Sequence, residues 1–232
     1  MLDHKLPKAA GVATLASLLF LTGGCAVADN KGGGEADYTA MSADELAEYL
    51  IFEKKGFILD QPTQEGTTVR ARQTQDEIQQ ACSVVGGGKP GGETLTKVRT
   101  MAEKAIEKPE GGVKLGDWEA GEQVARSGYG FRVGHKTDDH SKRAPGGNCY
   151  ACHQLDPDEI AYGTLGPSLT GYGKMRGTSQ AMLDYTYGVI SNVHAYFPCS
   201  QMPRFGTNGI LSEKQIADVM AYLMAPESPV NQ

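Results

Sequence analysis

The sequence predicts a mainly α-helical protein with long loops. Apolar residues recur at helical spacing in several separate stretches. Most of these stretches open on a Ser, Thr or Asp that can cap a helix and close on Gly or Pro, and none alternates apolar and polar residues as a half-buried strand would. Thirty glycines against six phenylalanines in 232 residues suit a loop-rich fold. That length allows one ordinary domain with an extension, or two small domains. The formal charge is −6 and no basic run exceeds two residues, as at Lys142-Arg143, so nucleic acid is not an expected partner.

At the N-terminus, Lys5 and Lys8 precede the uncharged stretch from Ala9 to Leu21. It is too short to span a bilayer as a mature helix and reads as an export signal. Two cleavage patterns compete. Ala26-Val27-Ala28 fits the small-x-small rule, with Asp29 as the mature start. Leu21-Thr22-Gly23-Gly24-Cys25 partly matches a lipoprotein box that would put a lipid on Cys25, but Thr22 stands where that box takes Leu. Simple cleavage is the preferred reading, and membrane attachment is expected only if Cys25 is lipidated. Either way the mature chain lies outside the cytoplasm, in the periplasm. Removing residues 1–28 takes off Asp3, Lys5 and Lys8, a net +1, and leaves a charge near −7. The expected layout is a signal peptide over 1–28 (or a lipoprotein signal ending before Cys25), a linker over 29–41, a helical N-terminal extension over 42–112 and a further domain over 113–232.

In the extension, a helix is expected from Ser42 to Lys55, with Ser42 as its cap and Leu46, Leu50 and Ile51 on one face. Pro62 and Gly66 interrupt the pattern. A second helix is expected over 74–82, opened by a capping box of Thr74 and Glu77. The glycine turn over 86–92 lacks the Gly-Lys-Ser/Thr ending of a phosphate loop and reads as a linker. A third helix runs from Glu93 to Lys108, with Leu95, Val98, Met101 or Ala102, Ala105 and Ile106 in its stripe.

In the second region, Asp117 can cap a helix reaching Arg126, with Trp118 and Val124 apolar. Residues 127–148 and 154–173 read as loop. A helix spans Ser179 to Ile190 with Met182, Leu183 and Tyr187 inward. The closing helix starts at Ser212, paired with Gln215 in a capping box, and buries Ile216, Val219, Met220 and Leu223.

The chemistry is concentrated in Gly147-Asn148-Cys149-Tyr150-Ala151-Cys152-His153. Two thiols one turn apart can reach two vinyl groups on one porphyrin, and the next residue can set an imidazole under the iron. Cys-x-x-Cys-His is therefore the signature of covalently bound haem c. A redox dithiol would sit at a strand-to-helix junction, and no such pattern surrounds it. A zinc site would need a second ligand pair at suitable spacing, and the sequence offers none. The expected cofactor is one haem c on Cys149 and Cys152, with His153 as the proximal iron ligand.

An electron-transfer haem fills both axial positions, so a second ligand is sought downstream. Met202, in Cys199-Ser200-Gln201-Met202-Pro203-Arg204-Phe205-Gly206, lies in an irregular stretch where a thioether can cross to the far face. Met175 is the rival. Met182, Met220 and Met224 fall at helical positions and read as core. The thiolate of Cys199 is a further option, and His135, His140 and His194 read as surface or core residues. A backbone carbonyl in Gly166-Pro167-Ser168-Leu169 could accept the Nδ1 proton of His153. Tyr162, Tyr172, Tyr196, Phe197 and Phe205 are candidates to line the crevice, and Arg176 and Arg204 to face a propionate. Of the five cysteines, Cys82 and Cys199 remain, and an oxidising compartment favours joining them; two free thiols are the alternative.

The order of these motifs resembles the c-type cytochromes and implies a cytochrome c fold with long loops, preceded by the helical extension. Asn148-Cys149-Tyr150-Ala151-Cys152-His153-Gln154, Tyr162-Gly163-Thr164-Leu165-Gly166-Pro167-Ser168-Leu169, the Met202 segment and Gln215-Ile216-Ala217-Asp218-Val219-Met220-Ala221-Tyr222-Leu223 resemble the SoxX family of the sulfur-oxidising Sox system, over about residues 115–230. The resemblance implies a heterodimer with a SoxA-like cytochrome. That pair has L-cysteine S-thiosulfotransferase activity, joining thiosulfate to a cysteine of the carrier SoxYZ, with the sulfur chemistry on SoxA. It assigns this chain no catalytic residue: its haem would take the released electrons and pass them to a soluble cytochrome. The alternative is a free-standing periplasmic electron carrier, which would not need residues 42–112.

Overall fold

The structure is a computed structural model that describes residues 36–54, 58–83, 90–131 and 138–232. The export signal, Cys25, Asp29, most of the linker, residues 86–89 of the glycine turn and His135 lie outside the described residues. Among those described there are eight α-helices and no strand, and an isolated bridge joins Pro62 to Thr68. None of these helices is long and apolar enough to cross a membrane. Residues 40–232 form one compact unit.

The extension opens with α1, Ala43–Glu48, where Ser42 and Glu45 close a capping box. A π-helical turn, Tyr49–Glu53, follows directly. Next comes α2, Val69–Gln73, capped by the Thr68 hydroxyl and burying Val69. It lies outside every expected helix, because five residues with a single buried apolar position carry no readable period. Helix α3, Glu77–Cys82, corrects the expected start at Thr74. The capping box is Asp76 with Gln79, whereas Thr74 ends α2 and its hydroxyl bonds the Arg70 carbonyl. A carboxylate caps at least as well as a Thr hydroxyl, and α2 has already claimed Thr74. Helix α4, Gly92–Ala105, buries Val98 and Ala102. It ends three residues before the expected Lys108, since Pro109 disfavours helical backbone at the residue before it.

Helix α5, Trp118–Arg126, is capped by Asp117, whose carboxylate accepts from the backbone N–H groups of Glu119 and Ala120. A short α6, Tyr172–Arg176, begins within the last two residues of the expected loop 154–173 and lies between Gly171 and Gly177, both at positive φ. Helix α7 is Gln180–Ser191, and a 3-10 turn, Val193–Ala195, follows it. Helix α8, Glu213–Met224, carries the expected Ser212–Gln215 capping box and buries Ile216, Val219, Met220 and Leu223 as expected. A 3-10 turn at Pro229–Asn231 finishes the chain.

Two apolar cores result. The larger gathers Tyr150, Leu155, Tyr172, Tyr187, Phe205, Leu211 and the buried face of α8. It is built on a close crossing of α5 over α8: a β-carbon on Gly121 would lie 2.5 Å from the carbonyl carbon of Asp218. Only glycine admits that approach. The smaller core joins Ile78 of α3, Val98 and Ala102 of α4, and Ala195 beyond α7. The extension is therefore built onto the segment that leads from α7 to Met202.

Candidate haem site

The Cys149–Ala151 segment is a 3-10 turn opened by Asn148 in the left-handed region, φ 48°. Asn is among the few non-glycine residues that adopt it readily. The Cys149 carbonyl accepts from Cys152 N at 3.1 Å and His153 N at 2.9 Å, which winds both cysteines and the histidine into one turn. Upstream, Gly147 N donates to Val124 O and Asn148 N to Ser127 O, tying the turn to the end of α5. Downstream, Gly163, Gly166 and Leu169 donate to the carbonyls of Tyr150, Cys152 and Gln154, each at 2.8 Å. The loop 163–169 is thus laced along the motif.

That lacing sets the imidazole. His153 Nδ1 lies 2.7 Å from the Pro167 carbonyl oxygen. A carbonyl only accepts, so Nδ1 carries the proton and Nε2 keeps its lone pair for a metal. Gly166 lies flat against the ring: an added β-carbon would stand 2.5 Å from Nδ1 and 2.7 Å from Nε2. Cys149 and Cys152 are both free and half-buried, and burial pushes the Cys149 thiol up to about 12. A side chain at Gly147 would meet Cys149 Sγ at 3.1 Å, Leu211 at 3.7 Å and Phe205 at 3.8 Å, so the motif abuts the segment that follows Met202. Two reduced thiols, a histidine held in the metal-binding tautomer and a loop that only glycine allows against it fit a covalently attached haem.

The other candidates sort by environment. Met202 is half-buried and packs, like Cys149, against the larger core. Met175 is 69% exposed on α6. Met220 and Met224 are buried in the core, with Met182 packed against it. Cys199 is bonded to Cys82, with Cα atoms 5.3 Å apart, and has no thiolate to offer. His140 stands edge-on to Tyr129 and Phe131. His194 is buried with Nδ1 unpartnered among the described residues. Of the aromatic candidates, Tyr172 and Phe205 are buried, while Tyr162, Tyr196 and Phe197 are exposed. Arg204 is buried and paired with Asp76, and the Arg176 guanidinium stands over the Tyr172 ring.

A support beneath the turn escaped the sequence reading. The Tyr150 hydroxyl lies 2.7 Å from that of Tyr222 in α8 and accepts from Asp156 N. Arg126 stands over the Tyr150 ring at 4.7 Å and is held by Glu122, Asp156 and Glu159. Only the Glu122–Arg126 pair, four apart on one helix, has a signature in sequence. Tyr150 and Tyr222 are 72 residues apart, and nothing local links them.

The chain is similar to known proteins. The cytochrome c family matches residues 141–225. An uncharacterized lipoprotein of Aquifex aeolicus (strain VF5) is 40% identical over 163 residues, covering 70% of this chain and 76% of its own. A match to the crystal structure of SoxXA from P. pantotrophus covers 53% of this chain and 94% of the matched chain at 26% identity, with a TM-score of 0.35. Residues 141–225, which include Cys149-x-x-Cys152-His153, are thus a cytochrome c domain, which implies covalently bound haem c, and the chain belongs to the family of the Aquifex aeolicus lipoprotein.

Proposed function

We propose that this chain is a single-haem electron-transfer subunit of the SoxX type, working beside a SoxA-like cytochrome in thiosulfate oxidation. The observation that carries the electron-transfer reading is the His153 Nδ1 contact with the Pro167 carbonyl. It fixes the ring and its tautomer and raises its donor strength toward iron, as metal-ligating histidines require; with Met202 as a second ligand the iron would keep no open position, which suits electron shuttling over ligand exchange. When bound, haem c supplies one-electron chemistry at its iron. Cys149 and Cys152 hold it by thioethers, His153 gives the proximal nitrogen and Met202 the distal sulfur. The larger core behind Cys149 and Met202 excludes water from that side.

The thiosulfate assignment rests on the four motif segments that resemble SoxX. The extension supports a subunit over a free carrier, since a carrier has no need of seventy further residues. Under this reading the sulfur chemistry belongs to the SoxA-like partner and the carrier SoxYZ, and the electrons leave for a soluble cytochrome. Export is part of the same reading. The likeness to a lipoprotein adds weight to Cys25, against Asp29, as the mature start.

The test is co-expression of the full chain with a SoxA-type cytochrome and the haem-maturation machinery. Co-elution of the two, and reduction of this chain's haem on adding thiosulfate with SoxYZ, are expected. Recovery of the chain only as a monomer, with its haem indifferent to thiosulfate, would contradict the subunit reading and favour the free-standing carrier.

A further inference from the structure

Helix α3 is fastened at both ends to the segment that carries Met202. At its start, the Asp76 carboxylate that caps the helix also accepts a 2.5 Å hydrogen bond from Arg204 Nη2. At its last residue, Cys82 is bonded to Cys199. The two attachment points, Cys199 and Arg204, stand on either side of Met202 in sequence. Between the fastenings the contact is filled rather than hollow: Ile78 of α3 is buried with Val98, Ala102 and Ala195, and both cysteines pack against that group. The Arg204 side chain is only 10% exposed, so releasing Asp76 would strand a buried cation. Cys199 has φ 60°, a backbone state that a non-glycine residue keeps only where its surroundings impose it.

We propose that α3 is a brace for the distal-ligand segment: Asp76, Cys82, Cys199 and Arg204 position Met202 and set how readily its sulfur yields to another ligand. This rests on Met202 being the distal ligand. All four are positioning residues, since they act through the segment and not on the reacting atoms. An opening of residues 199–204 is a local unfolding event, and the two ties raise its cost by removing conformational freedom from the open ensemble. Cutting either tie makes the open state cheaper while Met202 and the haem turn stay as they are.

The test is titration of the ferric, full-length holoprotein with imidazole, followed by loss of the thioether-to-iron absorption. The wild type shows that absorption and binds imidazole weakly. In the Cys82→Ser, Cys199→Ser double variant, imidazole binds roughly tenfold more tightly. Asp76→Ala, with the disulfide intact, moves affinity the same way by a smaller factor, and Arg204→Lys lies closer to wild type than Arg204→Ala. Lys108→Ala cuts another tie of the extension, the ion pair to Asp184 of α7, and leaves imidazole affinity unchanged. If the double variant does not fold, Asp76→Ala decides alone. Wild-type imidazole affinity in the folded brace variants overturns the brace and leaves the Met202 assignment standing. A wild-type protein without the absorption, or a Met202→Ala variant that keeps it, overturns that assignment and the brace with it.

Discussion

A single hydrogen bond decides what His153 can do. The Pro167 carbonyl claims Nδ1, and Gly166 lets the loop come close enough to make the bond. The motif Gly-Pro-x-Leu announced a carbonyl in the right place because proline fixes the loop and the segment follows the histidine closely. The glycine's part was not legible, because close approach leaves no mark in a single sequence. Gly166→Ala should push the loop off the ring, destabilise the holoprotein by about 1–3 kcal/mol and raise its reduction potential, as the imidazole loses donor strength. Denaturation followed at the haem absorption and a redox titration check both; a variant with an unshifted potential would refute the role given to Pro167. His194 offers a second residue-scale prediction. Burial, and then the charge of Arg204, hold its imidazole below the ordinary range, so it is neutral in the folded chain. The unfolded chain takes up a proton that the folded chain refuses, so stability is unaffected well above about pH 6.5 and falls as the pH drops below it. Denaturant melts between about pH 7.5 and about pH 5.5 should show that loss, and His194→Gln should flatten it.

Among the elements, α4, α5, α7 and α8 were legible because each carries apolar residues at helical spacing over more than two turns, and Asp117, Ser179 and Ser212 mark the starts of the last three. Helices α2 and α6 were not, since five residues are too few to show a period. The Asp76 cap was misread as Thr74 because both sit within reach of the same helix start, and only the end of α2 separates them. The crossing of α5 over α8 is the element-scale feature that matters most for the site. It supports the Cys149 turn from below, through Tyr150 on Tyr222 and Arg126 on the Tyr150 ring. Burial, and then the bond to Tyr150, raise the Tyr222 phenol well above its usual range, so Tyr222 keeps its proton as a hydrogen-bonded prop. Gly121→Val would drive side-chain atoms into the α8 backbone at Asp218 and Val219. It should cost about 1–3 kcal/mol or more and lower the yield of haem-loaded protein, measured by thermal melts and haem absorbance per chain. A variant as stable as wild type would show that the helices can part without loss.

At the scale of the whole molecule, the cytochrome region and the extension are one unit from residue 40 onward. The bond from Cys82 to Cys199 spans 117 residues. Closing a loop of that size contributes about 4–5 kcal/mol on the chain-entropy account, less any native strain. Cysteine counting pointed to this pair, because two other cysteines belong to one motif and a third to the export signal. What counting could not reveal is that the bond lies beside a second, ionic tie at Arg204, since Asp76 and Arg204 are far apart in sequence. The measurement that bears most directly on the central claim is the mass of the exported chain under denaturing conditions. The mature chain should carry the mass of one haem that unfolding does not strip away, and a Cys149→Ala, Cys152→Ala variant should lose it. A bare wild-type chain, a mass of two haems, or a haem retained without those two cysteines would contradict the account.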